Sequence, residues 1–240
     1  MSRPLDGHTA VVTGASRGIG LATAASLARA GARVALVARS SADLERHAAA
    51  LGGGAVAITC DVADARSVEA ALRVLHEHFG PDAPDVLVNN AGYFAVQPLE
   101  STSPESFART LGVNLAAPFL FAHALVPGMK ARRRGHLVTI GSVADHQPFP
   151  GNTAYAASKY GVRGMHEVLR VELRGTGVRA TLVSPGSVDT GLWSEANLGA
   201  RDDIPPRHQM LDAQAVADAV LYAVTQPASV NVDELRLSRS

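Results

Sequence analysis

An α/β fold is what this sequence predicts: a single doubly wound domain with a seven-stranded, mostly parallel sheet and helices on both faces. Three observations predict it. Short β-branched runs alternate with longer alanine-rich segments along the whole chain. Each run is apolar through its middle rather than alternating, which marks strands covered on both faces. The chain also has 240 residues, 47% of them hydrophobic and 18% charged. That is enough for one large core and too apolar for a disordered chain.

The elements follow in order. TAVVTG (9–14) is the first strand, and a glycine cluster leads it into a helix over 18–30. RVALVAR (33–39) and a helix over 41–50 come next, then AVAITCDV (55–62) and a helix over 64–79 whose first residue, Asp64, is a good N-cap. DVLVNNAG (85–92) precedes a long helical segment over 104–130, opened by Ser103-Pro104. HLVTIGS (136–142) leads to a helix over 153–174, and VRATLVSPG (178–186) to a long loop over 187–211. A loop of that length in a compact domain is usually a lid or binding loop. A helix over 212–225 and the strand DELRL (233–237) end the chain. No fixed-period repeat or low-complexity linker divides it, so one domain over 1–240 is expected. Repeated strand–helix units of this kind make a Rossmann-type sheet.

Composition narrows the partners. Lys and Arg number 22, as do Asp and Glu, so the formal net charge is zero. No global field draws the protein to nucleic acid or anionic lipid, and the expected partners are a small molecule and further copies of the chain. The single cysteine, Cys60, excludes an intramolecular disulfide and suits a reducing cytoplasm. The N-terminus carries Arg3 and Asp6 and no apolar signal-like run. Residues 110–129 hold no formal charge and match a membrane span in length, but they contain Asn114, His123, Pro118 and Pro127. They are expected to form a buried core helix rather than to meet a membrane. The nine histidines are scattered, with no convincing metal-ligand set.

Three motifs carry chemistry. In Thr13-Gly14-Ala15-Ser16-Arg17-Gly18-Ile19-Gly20 the glycines let the backbone turn sharply after a strand, and the helix that follows offers unpaired N–H groups to a pyrophosphate. A tight turn with no ligand is the alternative. The second strand ends Val37-Ala38-Arg39-Ser40, with no acid to meet a ribose 2′-hydroxyl. Arg39, with Arg17 in the glycine loop, suits a 2′-phosphate instead, which favours NADP(H) over NAD(H). In Tyr155-Ala156-Ala157-Ser158-Lys159 the tyrosine and lysine share one helix face. At ~6 Å and an effective dielectric of about 20 their attraction is roughly 2.8 kcal/mol. That predicts a tyrosine made more acidic by about two units, able to exchange a proton with a carbonyl oxygen.

TGASRGIG, CDV, NNAG, Asn114, Ser142, YAASK and Pro185-Gly186 with Thr190 occur in one order, and at this point the sequence resembles the short-chain dehydrogenase/reductase family. The resemblance covers about residues 5–190 closely. It implies that Tyr155 donates the proton during carbonyl reduction, that Lys159 lowers its pKa and holds the nicotinamide ribose, that Ser142 hydrogen-bonds the substrate oxygen, and that Asn114 holds a water linking Lys159 to solvent. It further implies cofactor contacts from Gly14, Ser16, Arg17, Ile19, Arg39, Asp61, Val62, Asn90, Ala91, Gly92, Tyr155, Lys159, Pro185, Gly186, Val188 and Thr190. Tyr93 and Trp193, with Ser142 and Tyr155, are candidates for binding substrate, and Arg201 and Arg207 in the lid for a substrate carboxylate.

The end of the chain resembles bacterial NADP-dependent short-chain alcohol and 3-hydroxy acid (serine-type) dehydrogenases. It lacks the glycine-rich tail of 3-oxoacyl-carrier-protein reductases, which stay as an alternative. A non-catalytic NADP-sensing protein is the alternative from another class. Family relatives are commonly tetramers or dimers, so a homotetramer or homodimer is expected.

Overall fold

A computed structural model describes residues 2–80, 84–195 and 205–240. Seven strands run β1 (Thr9–Thr13), β2 (Arg33–Ala38), β3 (Val56–Thr59), β4 (Val86–Asn89), β5 (Gly135–Ile140), β6 (Val178–Pro185) and β7 (Glu234–Leu237). They form one sheet in the order β3-β2-β1-β4-β5-β6-β7. Every pairing is parallel, where the sequence predicts a mostly parallel sheet.

The apolar runs are apolar because alternate residues feed two different cores. On β1, Val12 belongs to one and Val11 to the other. Val12, Val34, Leu36, Val88, Val138 and Val183 pack with Leu27 of α1 (Gly18–Arg29) and with Val216 and Val220 of α8 (Ala213–Val224). Val11, Val37, Leu87 and Leu137 pack with Val68 and Leu75 of α3 (Ala65–Phe79) and with Phe121, Leu125 and Met129 of α5 (Ala117–Arg132). The helix α2 (Ser41–Leu51) buries Leu44 and Ala48 beside β2 and β3.

The expected caps form. The Asp64 carboxylate accepts from the Arg66 N–H, and the Ser103 hydroxyl from the Ser106 N–H at the head of α4 (Pro104–Leu111). A π turn, Gly112–Ala116, joins α4 to α5, so 104–132 is one helical run. By length and composition this is the one helix among the described residues that could cross a membrane. One of its faces is packed on the sheet through Phe121 and Met129, both fully buried. Cys60 is buried too.

Crossovers carry the chain back behind the sheet each time, so all seven strands point one way and their C-terminal ends share one edge. The opposite edge is pinned by a residue no motif singles out. Asp85, at the head of β4, accepts from the Thr9 backbone N–H at 2.8 Å and from the Arg134 guanidinium at 2.8 and 2.6 Å. Arg134, with Arg132 at 3.9 Å from the same carboxylate, thus ties the end of α5 to β4. Arg133 makes the turn in the left-handed region at φ 54. Asp85→Ala leaves the Thr9 N–H and Arg134 without their acceptor. It should lower stability by about 1–3 kcal/mol, read as a lower urea midpoint at unchanged slope; an unchanged midpoint would show that the carboxylate does not hold β1 to β4.

Candidate active site

The strand order reverses between β1 and β4, and ligands of open parallel sheets sit in the crevice at that point. The crevice here is a cavity of about 700 Å³. Its floor starts at the glycine loop. Gly14 takes φ +68, and a Cβ on it would lie 2.8 Å from the Ala91 Cα; a Cβ on Gly20 would run into the Gly14 carbonyl and the Asn90 amide. Only bare backbone can pass here, and it ends at the open N-terminus of α1, where Arg17 makes no side-chain cap and no acid occupies the first turn. The Thr13 hydroxyl accepts from the Asn90 and Ala91 N–H groups, and the Asn90 amide donates to the Thr13 carbonyl at 2.8 Å. These bonds lock the ends of β1 and β4 together. The Asn90 side chain is spent on that lock.

At one end of the cavity lie Arg39, Ser40 and Asp43 with Ser16 and Arg17. Arg39 is exposed. Asp43, which the motifs do not reveal, is turned to Ser40 and Arg46, and these two lower its pKa in that order. His47 reaches from α2 to the Ser16 carbonyl at 3.2 Å. Asp61 and Val62 border the same region beyond β3.

At the other end, the 3₁₀ turn Val143–Asp145 follows β5, and α6 (Thr153–Glu172) carries Tyr155 and Lys159 on one face. The Lys159 ammonium is 5.6 Å from the Tyr155 ring centre, near the separation the helix spacing predicts. It donates to the Ile140 carbonyl at 2.9 Å. The expected acidic tyrosine is not found. Burial pushes the Tyr155 phenol up to about 12; a hydrogen-bonding contact from Ser142 works against this, and the Asp145 charge adds to it. Burial also holds the Lys159 ammonium down to about 8, with Asp145 opposing. The separation matches the spacing, but desolvation of the phenol itself outweighs the attraction, since burial disfavours the charged phenolate. The phenol is therefore a held acid at neutral pH.

Asn114 sits in the π turn, a local widening that often marks functional sites. It lies beneath the cavity wall. Its amide brackets the Tyr93 backbone, accepting from the N–H and donating to the carbonyl at 2.8 Å each, and donates to Ser158 at 3.0 Å. Among the expected catalytic and cofactor-binding residues Asn114 is the one outside the cavity lining. Gly14, Ser16, Arg17, Ile19, Arg39, Asp61, Val62, Asn90, Ala91, Gly92, Ser142, Tyr155, Lys159, Pro185, Gly186, Val188 and Thr190 all face it, as do Tyr93 and Trp193.

Sequence reasoning missed three neighbours. Phe94 meets Tyr155 edge-on at 4.7 Å and Trp193 at 5.3 Å, and Arg109 lies 4.7 Å over the Tyr93 ring. Asp145 is the third, buried directly behind Ser142. The lid contains a short helix, α7 (Leu192–Glu195), and the Trp193 indole N–H donates to the Val188 carbonyl at 2.7 Å. Arg207 pairs with Asp189 at 2.7 Å, and Arg201 lies outside the described residues. Among the described residues no group of three or more His, Cys, Asp or Glu is placed to hold a metal.

The description short chain dehydrogenase matches residues 8–200. The chain belongs to the short-chain dehydrogenase family. Over 239 residues this short-chain dehydrogenase is 38% identical to a D-threitol dehydrogenase of Mycolicibacterium smegmatis, with 96% of the chain and 91% of the relative covered. It is 40% identical over 238 residues to the glycine betaine reductase ATRR of Emericella nidulans; that match covers 97% of the chain but only 19% of the much longer relative. A metagenomic short-chain oxidoreductase solved in complex with NADP superposes with a TM-score of 0.83 at 34% identity, with 99% of each chain covered.

The buried lysine leaves a thermodynamic mark. Between about pH 8 and 10.5 the folded protein has lost a proton that the unfolded chain keeps. Its stability from this group therefore rises with pH across that window, and the penalty is full below it. Lys159→Met should raise unfolding stability at pH 7 by roughly 2 kcal/mol, and the gain should shrink by pH 9.5. Urea unfolding at both values tests this; a variant less stable than the parent at pH 7 would overturn it.

Proposed function

We propose that this short-chain dehydrogenase is an NADP(H)-dependent oxidoreductase that interconverts a small carbonyl compound and its alcohol, with Tyr155 as the general acid and base. The observation that carries the reading is Tyr155. Its ring lies 5.6 Å from the Lys159 ammonium and beside Ser142, in a cavity continuous with the glycine loop. Bare glycine backbone at Gly14 and Gly20, the open end of α1 and the absence of an acid at the end of β2 fit an NADP(H) diphosphate and 2′-phosphate. NADP in the related oxidoreductase supports the same choice. When bound, the cofactor supplies or accepts the hydride.

This chain's residues do the rest. The Ser142 hydroxyl donates to the substrate oxygen, and Tyr155 Oη delivers the proton as negative charge develops there. Lys159, whose ammonium titrates near 8, is the proton reservoir behind the phenol. Asn114 Oδ1 has one lone pair left after the Tyr93 N–H and can hold the water that links Lys159 to solvent. Asp61 and Val62 would contact the adenine, Asn90, Ala91 and Gly92 would line the adenine ribose and the nearby cofactor, and Pro185, Gly186, Val188 and Thr190 would hold the carboxamide.

Phe94, Tyr93 and Trp193 make the substrate end largely apolar. The exposed residues Phe107, Phe119, Tyr160, Val168 and Val171 on α4, α5 and α6 support assembly into a homodimer or homotetramer.

Tyr155→Phe should lower NADPH-dependent carbonyl reduction by about 10³-fold while leaving NADPH affinity within twofold; turnover with a carbonyl panel and fluorescence titration measure the two. A fully active Phe variant, or a parent that binds NADPH without turnover, would refute the mechanism. Arg39→Asp should weaken NADPH by about tenfold or more and leave NADH nearly unchanged. Equal losses for both cofactors would refute the 2′-phosphate assignment.

A further inference from the structure

Ser142 is held in place by a network of polar groups, buried at Asp145 and Ser184, that the reaction itself does not use. Its centre is Asp145, whose side chain is fully buried. Oδ2 accepts from the Ser142 backbone N–H at 3.3 Å and from the Ser184 hydroxyl of β6 at 2.5 Å. Oδ1 faces the His146 ring Nδ1 at 2.6 Å and the Arg163 guanidinium of α6 at 3.3 Å. The Ser142 hydroxyl in turn accepts from the Ala144 N–H at 3.1 Å, so serine and aspartate cap the same 3₁₀ turn reciprocally. Arg163 makes a two-pronged contact of 3.0 Å per arm with Glu234 of β7, and it also meets Glu167.

We propose that Asp145 is a positioning residue for carbonyl reduction: anchored through Arg163 to Glu234, it fixes the backbone of Ser142 and so aims the serine hydroxyl at the oxygen that Tyr155 protonates. The inference rests on the carbonyl-reductase reading above and names a residue that reading does not need. Three facts favour a role beyond capping. A short exposed turn is held by one or two bonds, whereas Asp145 makes four contacts, from three elements, with no water-exposed atom. The site has no slack, since a Cβ on Gly141 would lie 2.5 Å from Asp145 Oδ2. Finally, the network reaches the last strand of the sheet, so a residue remote in sequence bears on the serine.

The ionisable groups that surround Asp145 are Lys159 and Arg163 on α6, His146 beside it, and Glu234 with Arg236 on β7; the Tyr155 phenol also feels it. His166, further along α6, is held neutral down to about 4 by burial. The Asp145 charge acts upward on both Tyr155 and Lys159, behind burial in each. Removing it therefore moves the basic limb of the reduction profile to lower pH.

The test is Asp145→Asn, which keeps the shape and one acceptor but drops the charge, with Glu234→Gln as a milder break at the far end should the first variant not fold. For each, kcat against pH, NADPH affinity by fluorescence and thermal midpoint are measured. Asp145→Asn should lower kcat by up to about a hundredfold and move the basic limb down by about one unit, with NADPH affinity within twofold of the parent. Glu234→Gln should move kcat and the limb in the same directions by less. A folded variant of either kind with the parent's kcat and limb would overturn the proposal. So would losses of kcat and NADPH affinity in proportion with the limb in place, which mark a structural role only. A fully active Tyr155→Phe variant would instead sink the carbonyl-reductase reading, and that result is read before any Asp145 variant is made.

Discussion

Burying a phenol and an ammonium side by side places opposite demands on the two groups. Desolvation favours the neutral form of each, so the tyrosine holds its proton more tightly and the lysine less. Tyr155 near 12 and Lys159 near 8 are the result. Either shift alone would be a cost of burial with no chemistry attached. Together, on one helix face, they set a neutral phenol beside a lysine that holds its proton less tightly than usual. Neighbouring groups of the crevice aim this pair. Phe94 covers the edge of the Tyr155 ring, and the Ile140 carbonyl holds the lysine head at the strand end.

That placement depends on the parallel sheet. Because every strand points the same way, the ends of β1, β4, β5 and β6 arrive at one edge, and loops from distant parts of the sequence meet there. The Thr13–Asn90 lock shows how tightly. One hydroxyl and one amide tie the glycine loop to the next strand, and the glycines leave bare backbone facing the cavity. The same polar bonds that stabilise the strand ends therefore shape the binding floor.

Much of this was legible in the residues. The seven apolar runs became seven strands with ends within three residues of those expected, since strands covered on both faces leave a continuous apolar signature. The glycine loop, Ser142 and the Tyr155–Lys159 pair were readable from residue type and spacing. What spacing could not give was the sign of the tyrosine shift. Four residues along a helix fix a distance, but the balance between attraction and desolvation depends on what packs around both groups. The aromatic contacts of Phe94 were invisible for a similar reason: they join segments far apart in sequence. Asn114 was expected in a helix, yet it lies in a π turn, a local irregularity with no compositional signal.

The two buried aspartates Asp85 and Asp145 show why the remaining residues escaped notice. Each accepts a backbone N–H and faces arginine, and neither belongs to a motif. Buried carboxylates are costly unless every lone pair is met, so each recruits partners from several elements at once. At the amino edge of the sheet that demand fastens β1, β4 and the tail of α5. At the carboxyl edge the same demand fastens the turn bearing Ser142 to α6, β6 and β7. The physics is identical, and position alone separates a structural fastening from one that bears on chemistry. A sequence shows the aspartate; only the sheet's direction shows which edge it serves.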